Sequence, residues 1–201
     1  MKLYYTTNSP FARKVLMVAA ERGLTGNIEL IVSSPWTAEA NILTRVNPAG
    51  KVPALTMDDG LTLFDSPVIC EYLDSLGHGP KLFPTTNPER WLTLKRQALG
   101  DALLDAMIAR RLESRRSNGE RSEAWMDRQK ASVNRCLDAM EADARDLGET
   151  PTIGEITYLC ALAHLDFRFA EEDWRPGRTE LASWYSAFSK RHSAKTTLPH
   201  D

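Results

Sequence analysis

The chain has 201 residues, 42% of them apolar and 26% charged, with a formal net charge of −2. That is enough chain for one or two domains with a sizeable core, and it excludes a largely disordered polymer or one drawn to nucleic acid or membrane by overall charge. No run reaches the roughly 18 apolar residues that span a bilayer, no secretory leader pattern follows Met1, and Cys70, Cys136 and Cys160 are an odd, widely spaced set that fits reduced thiols. These features predict a cytoplasmic protein with no metal or disulfide framework.

Residues 2–6 form an apolar, aromatic run that predicts a strand. Ser9-Pro10 follows, a helix cap and a proline at the first helical position. The helix predicted over 10–22 carries Phe11, Val15, Leu16 and Ala19 on one face and stops near Gly23. Residues 28–32 predict a second strand. Residues 38–45 predict a short helix ending at Asn47-Pro48. Two strands, 54–57 and 62–64, flank the turn residues Asp58-Asp59-Gly60. Ser66-Pro67 then repeats the cap-and-proline signal ahead of a helix over 67–76, with Val68, Ile69, Tyr72, Leu73 and Leu76 as its apolar positions. The order βαβαββα predicts an α/β domain with helices over a four-stranded mixed sheet.

Composition changes at 77–88, where glycine and proline accumulate and periodicity fades, as in a linker. No strand is predicted beyond it. Helices are predicted over 89–116, 122–146, 152–170 and 181–191, an all-α domain. The predicted organisation is a domain over 1–76, a linker over 77–88 and a helical domain over 89–201. Thr152 and Glu155 have capping-box spacing ahead of the most apolar helix, a device that contributes about 0.5–2 kcal/mol.

Three short segments carry possible chemistry. Ser9 caps through its oxygen, which leaves its O–H free to donate. A thiolate placed there would also feel the positive end of the 10–22 helix. Lowering a thiol pKa by about two units corresponds to roughly 2.7 kcal/mol, within reach of those two effects. Val52-Pro53 stands at the mouth of a strand and can be an ordinary trans step or a cis one. In the cis form the Val52 backbone groups face outward and can pair with an extended peptide. Asp65 and Ser66 are ordinary residues for the start of a helix. They can also recognise an α-amino acid end, Ser66 taking the carboxylate and Asp65 the ammonium. Together these features fit a small anionic peptide with more than one negative group. His78, His164, His192 and His200 are too scattered for a metal site. Arg110-Arg111 and Arg115-Arg116 read as a solvated helix face, with an anionic substrate as the alternative.

Residues 7–15 (TNSPFARKV), 47–55 (NPAGKVPAL) and 64–69 (FDSPVI) resemble the glutathione-binding half of glutathione S-transferases. Residues 152–167 and the tail from Leu181 to Tyr185 with Pro199 resemble the family's helical half. The match is ordered along the whole chain and is most similar to bacterial serine-type members. The resemblance implies a thioredoxin-like first domain, an all-α second domain and a homodimer. It implies that Ser9 activates the glutathione thiol and that the Val52 backbone and Pro53 hold the cysteinyl part. It places Asp65 and Ser66 at the γ-glutamyl site, Lys51 near the glycine carboxylate, and Phe11 and Arg111 beside a small apolar electrophile. Serine stands where other members carry a cysteine that forms mixed disulfides, and Ala12 stands where a redoxin carries its second cysteine. Glu155 replaces a common aspartate. The implied activity is conjugation of glutathione to an electrophile. The alternatives are a glutathione-binding or regulatory protein without turnover, and a glutathione-dependent isomerase.

Overall fold

The computed structural model describes residues 1–36 and 40–201. The described chain divides into two compact units, Met1–Asn87 with Arg191–Asp201, and Pro88–Lys190. The sequence assigns the last eleven of these residues to the helical domain. They pack instead with the first unit, for a reason given below.

In the first unit, β1 (Lys2–Tyr5) leads to α1 (Pro10–Glu21), then to β2 (Glu29–Val32), α2 (Ala40–Val46), β3 (Ala54–Thr56), β4 (Thr62–Leu63) and α3 (Ser66–Leu76). The sheet order is β2-β1-β3-β4, with β1 parallel to β2 and antiparallel to β3, and β4 antiparallel to β3. This is a thioredoxin-like α/β arrangement with a four-stranded mixed sheet. Part of the predicted 38–45 helix, Ala38 and Glu39, lies outside the described residues. Leu3, Val15, Val18, Leu55, Ile69 and Leu73 are fully buried, and α1 packs against α3. The β3–β4 turn forms as predicted. Gly60 takes φ +90°, which a side chain would resist, and Asp59 accepts from the Leu61 N–H at 2.9 Å.

One buried arginine stitches this unit together. Arg22 ends α1, is 1% exposed, and its Nε lies 3.1 Å from Asp74 Oδ1 on α3. Its other nitrogens donate to the carbonyls of Asp74, Gly77, Gly79 and Pro80. The Asp74 carboxylate in turn accepts from the Leu82 N–H at 2.9 Å and the Phe83 N–H at 3.3 Å. The glycine-rich stretch after α3 is therefore fixed by a charge pair whose hydrogen bonds are filled by backbone.

The tail returns to α1 by a similar device. After α7 (Thr179–Phe188) a short helix α8 (His192–Lys195) forms, which periodicity does not predict. Arg191 grips both oxygens of Glu21 at 2.9 Å, and the Ser193 hydroxyl donates to the same carboxylate. Burial pushes the Glu21 carboxyl up, but the hydrogen bonds from Arg191 and Ser193 and the Arg191 charge outweigh it and hold the group below its ordinary range. Further along, the His200 N–H reaches the Thr7 carbonyl at 3.4 Å.

The second unit holds α4 (Glu89–Ser114), α5 (Glu123–Asp143), α6 (Ile153–Arg168) and α7. It is all-helical, with α4 packed against both α5 and α6. Every residue of α6 from Ile153 to Leu165 is buried, as in a helix enclosed on all sides. Close approach to α4 requires Gly100, where an added Cβ would lie 2.7 Å from Thr157 Cγ2. The Thr152 capping box forms: the Thr152 hydroxyl accepts from Gly154 at 3.1 Å, and Glu155 accepts from the Thr152 N–H at 2.9 Å. Glu155 also meets the buried Arg96 at 3.0 Å, so one carboxylate starts the helix and neutralises a core cation. At the arginine-rich end of α4, Arg115 and Arg116 are exposed as predicted and Arg111 is half-buried, while Arg110 departs from the solvated state. Arg110 is 8% exposed, forks onto Glu172 from both terminal nitrogens, and covers the Phe169 ring at 4.6 Å. The cysteines are reduced and buried.

Two outcomes follow for stability. Arg22→Ala leaves Asp74 buried without its cation and is expected to lower unfolding free energy by about 3–5 kcal/mol in denaturant titrations. A double change of Arg22 and Asp74 to apolar residues should cost less than Arg22→Ala alone. For the tail, the Glu21 pKa is depressed in the folded state. Its contribution is therefore complete above the unfolded value of about 4.3 and is lost as pH falls through the lower folded value. The stability gap between wild type and Glu21→Gln should be constant near neutrality and close only in acid, as read by thermal melts across pH.

Candidate functional site

Strand register gathers the sequence candidates at one sheet edge. Tyr4 pairs with Ala54, so the chain leaving β1 toward Ser9 lies beside the chain entering β3 through Val52 and Pro53. Leu63 pairs with Leu55, so the chain leaving β4 toward Asp65 and Ser66 reaches that same edge. Three adjacent strands at ~4.8 Å spacing cover about 10 Å. That is about the length of three extended residues.

Ser9 is the N-cap of α1, and its Oγ accepts from the Ala12 N–H at 3.2 Å. Among the described residues its hydroxyl proton has no acceptor. Pro10 occupies the first helical position, and the Phe11 N–H is left as an open donor at the positive end of the helix. The Val52–Pro53 peptide bond is cis, the alternative that the sequence leaves open. Pro53 is buried and Val52 half-buried. Neither the N–H nor the carbonyl of Val52 has a hydrogen-bond partner among the described residues. The adjoining loop is braced by Asn47, whose Nδ2 donates to the Lys51 carbonyl at 2.7 Å and whose Oδ1 accepts from the Ala49 N–H at 2.9 Å.

The second helix end differs from expectation by one residue. Ser66 is predicted as the cap and Pro67 as the first helical residue. Asp65 is the cap instead, Ser66 is the first helical residue and Pro67 the second. The first turn closes from the Asp65 carbonyl to the Ile69 N–H at 3.1 Å. The Asp65 side chain makes no capping bond and is exposed. Ser66 is 2% exposed, and its hydroxyl and N–H have no partner among the described residues. Both groups are thus open donors at a helix N-terminus, a natural place for a carboxylate.

The structure therefore brings Ser9, Val52, Pro53, Asp65 and Ser66 to one edge, with Lys51 exposed beside Val52. Phe11 lies half-buried on α1, with Lys14 Nζ 5.8 Å above its ring. Arg111 belongs to the second unit, half-buried in the last turn of α4. The Phe11 N–H and the Val68 N–H are open donors that the sequence reading passes over; the proline positions at 10 and 67 are the signal that would have located them. Among the described residues, no group of three or more His, Cys, Asp or Glu is placed to hold a metal ion, and no helix is long and apolar enough to cross a membrane.

Comparison with known proteins bears directly on this arrangement. The glutathione S-transferase N-terminal domain matches residues 8–76, and the C-terminal domain matches residues 123–187. An uncharacterised GST-like protein of Escherichia coli, YibF, is 33% identical over 203 residues, covering 99% of each chain. This chain belongs to the glutathione S-transferase family. A family member from Pseudomonas fluorescens, crystallised with bound glutathione, superposes with a TM-score of 0.95 at 35% identity, over 100% of this chain and 99% of that one. The crystal form with bound S-(propanoic acid)-glutathione gives 0.91 at 35% identity, over 100% of both chains. A glutathione S-transferase from Methylobacillus flagellatus with glutathione bound gives 0.93 at 33% identity, over 99% of each.

Proposed function

We propose that this chain is a glutathione transferase, joining the glutathione sulfur to the electrophilic carbon of a small, mainly apolar molecule. The observation that carries the reading is the set of unpartnered groups on one sheet edge, at Ser9, Val52 and Ser66, spaced for a tripeptide. Glutathione fits them group by group. The Val52 N–H and carbonyl pair with the cysteinyl main chain in strand fashion. The Ser66 hydroxyl and N–H take the γ-glutamyl carboxylate, and exposed Asp65 takes the ammonium. Lys51 faces the glycine carboxylate.

The Ser9 O–H donates to the sulfur, and the positive end of α1 favours the thiolate further. A thiol of pKa about 8.5 is only ~3% ionised at neutral pH, and one lowered by two units is ~75% ionised, a gain of about 25-fold in nucleophile. The enzyme's contribution is thus to hold and ionise the nucleophile. Phe11 and Arg111 are our candidates for the electrophile side. Exposed Leu61, Phe64 and Val68 of the first unit and exposed Trp91 and Leu92 of the second are apolar surface that a homodimer would cover. We further propose a cytoplasmic location. Similarity to a relative that binds S-(propanoic acid)-glutathione, whose sulfur carries a carbon substituent, supports conjugation over isomerisation.

Removing the hydroxyl should separate binding from chemistry. Ser9→Ala is expected to lower kcat/KM toward an aryl halide by about 10–30-fold near neutral pH while leaving the glutathione Kd within about threefold. Raising pH should recover much of the lost rate. The same change should cost about 1 kcal/mol of stability through the lost cap. Val52→Pro removes the docking N–H and should instead weaken glutathione binding in calorimetry. If wild type binds glutathione but turns over no electrophile in a broad panel, the protein is a binding module.

A further inference from the structure

The returning tail is anchored to α1 by the Arg191–Glu21 pair at the far end of the helix. It also bonds to the chain on both sides of Ser9, which anchoring alone does not require. One turn after Ser9, the side chain of Arg13 reaches the tail. Arg13 is 5% exposed, its Nη2 donates to the Ala194 carbonyl at 3.1 Å, and its Nε donates to Thr197 Oγ1 at 3.4 Å. Thr197 is set in turn by its own hydroxyl, which donates to the Ser193 carbonyl at 2.7 Å.

Ahead of Ser9, the tail meets the turn that leads out of β1. The Ser9 N–H closes this turn on the Thr6 carbonyl at 3.2 Å, so Thr7 and Asn8 are its central residues. The tail bonds to both. The His200 N–H donates to the Thr7 carbonyl at 3.4 Å, and Asn8 Nδ2 donates to Asp201 Oδ1 at 3.3 Å. The Thr6 hydroxyl donates to Asn8 Oδ1 at 3.2 Å and fixes the amide.

Ser9 therefore sits between two places held by one short segment. The backbone transmits the hold, since the Arg13 N–H closes the first helical turn on the Ser9 carbonyl at 2.9 Å. Within the helix little restrains this end. α1 has 12 residues, its Pro10 offers no N–H, and its first turn carries no acidic residue. Helix ends fray unless they are tied down. A frayed first turn would take the Ser9 O–H away from a sulfur and undo the alignment of the helix N–H groups. The start of α3 has a different safeguard, because Ser66 is 2% exposed and fixed by burial. Ser9 is half-buried and depends more on what holds its flanks.

We propose that the tail from Ala194 to Asp201 is a strap that positions the thiol-activating hydroxyl of Ser9, with Arg13 and Asn8 as the positioning residues that engage it. This role rests on the transferase reading and gives it a second component. The Val52 and Ser66 groups lie on other elements, so the strap governs how far the bound thiol ionises and not how tightly the tripeptide is held.

The test is a full-length variant that keeps the Glu21 anchor and removes the grips beside Ser9: Thr197→Val, His200→Pro and Asp201→Ala together. Proline removes the N–H that reaches Thr7, and the other two changes remove side-chain oxygens. The pKa of the bound glutathione thiol is read from thiolate ultraviolet absorbance across pH, beside the glutathione Kd and kcat/KM for an aryl halide. The thiol pKa is expected to rise by about one unit, with kcat/KM falling about threefold near neutral pH and further in mild acid, and Kd staying within about twofold. Asn8→Ala, which frees only the turn before Ser9, should move the pKa the same way by a smaller amount. In a Ser9→Ala background the three tail changes should shift it by less than about 0.3 unit, because the strap acts through that hydroxyl. The proposal is overturned if the folded tail variant and Asn8→Ala both ionise bound glutathione as wild type does, or if the shift is equally large without the Ser9 hydroxyl. A wild-type protein that binds glutathione without lowering its thiol pKa would overturn the transferase reading itself, and the strap with it.

Discussion

The pairing of β3 between β1 and β4 is the constraint on which the rest of the first unit depends. β1 and β4 run toward one edge of the sheet and β3 runs away from it. Two strand exits and one strand entrance therefore fall side by side. Each exit leads into a helix whose first N–H groups have no partner within the helix, and the entrance presents a backbone with nothing to pair against. A shift of one residue in either pairing would turn every side chain of that strand to the opposite face. It would drive Leu3 or Leu55, both fully buried, out of the core. Hydrophobic burial thus fixes the geometry of a polar site whose own groups contribute little to stability.

Such a site needs a rigid support, and α1 receives it at three points. Ser9 caps its start, Arg22 binds its end to α3 and the chain beyond, and Glu21 ties it to the tail. All three fill backbone or charged groups that would otherwise be stranded. The two arginine–carboxylate pairs are extensively hydrogen-bonded, the condition under which a buried pair is retained instead of being replaced by apolar packing. Positioning a nucleophile within a few tenths of an ångström is feasible on a helix held in this way.

Much of this was legible in the chain. Ser9-Pro10, Asp58-Asp59-Gly60 and the Thr152–Glu155 spacing are local rules, satisfied by neighbours a few residues away, and each element forms as read. The same locality explains the one-residue error at α3. Aspartate and serine both suit a cap, and only the first-turn hydrogen bond from Ile69 to Asp65 decides between them. What could not be read is pairing over long separations. Nothing near Arg110 announces Glu172, and nothing near Glu21 announces Arg191, about 170 residues on. Side-chain fate there depends on tertiary contacts, so Arg110 becomes a buried fork within a basic run whose Arg115 and Arg116 stay exposed.

The choice of serine at position 9 ties these threads together. A cap must offer an oxygen lone pair to the helix, and an activator of a thiol must offer a proton outward. Serine does both at once, because its Oγ accepts from Ala12 while its O–H stays open. Alanine would do neither. Aspartate would cap well but would set a negative charge against the thiolate it is meant to favour. Cysteine would exchange the donor for a competing nucleophile and a weaker cap. Position 9 is therefore under two demands, one from the fold and one from the proposed chemistry, and among these four side chains only the hydroxyl meets both.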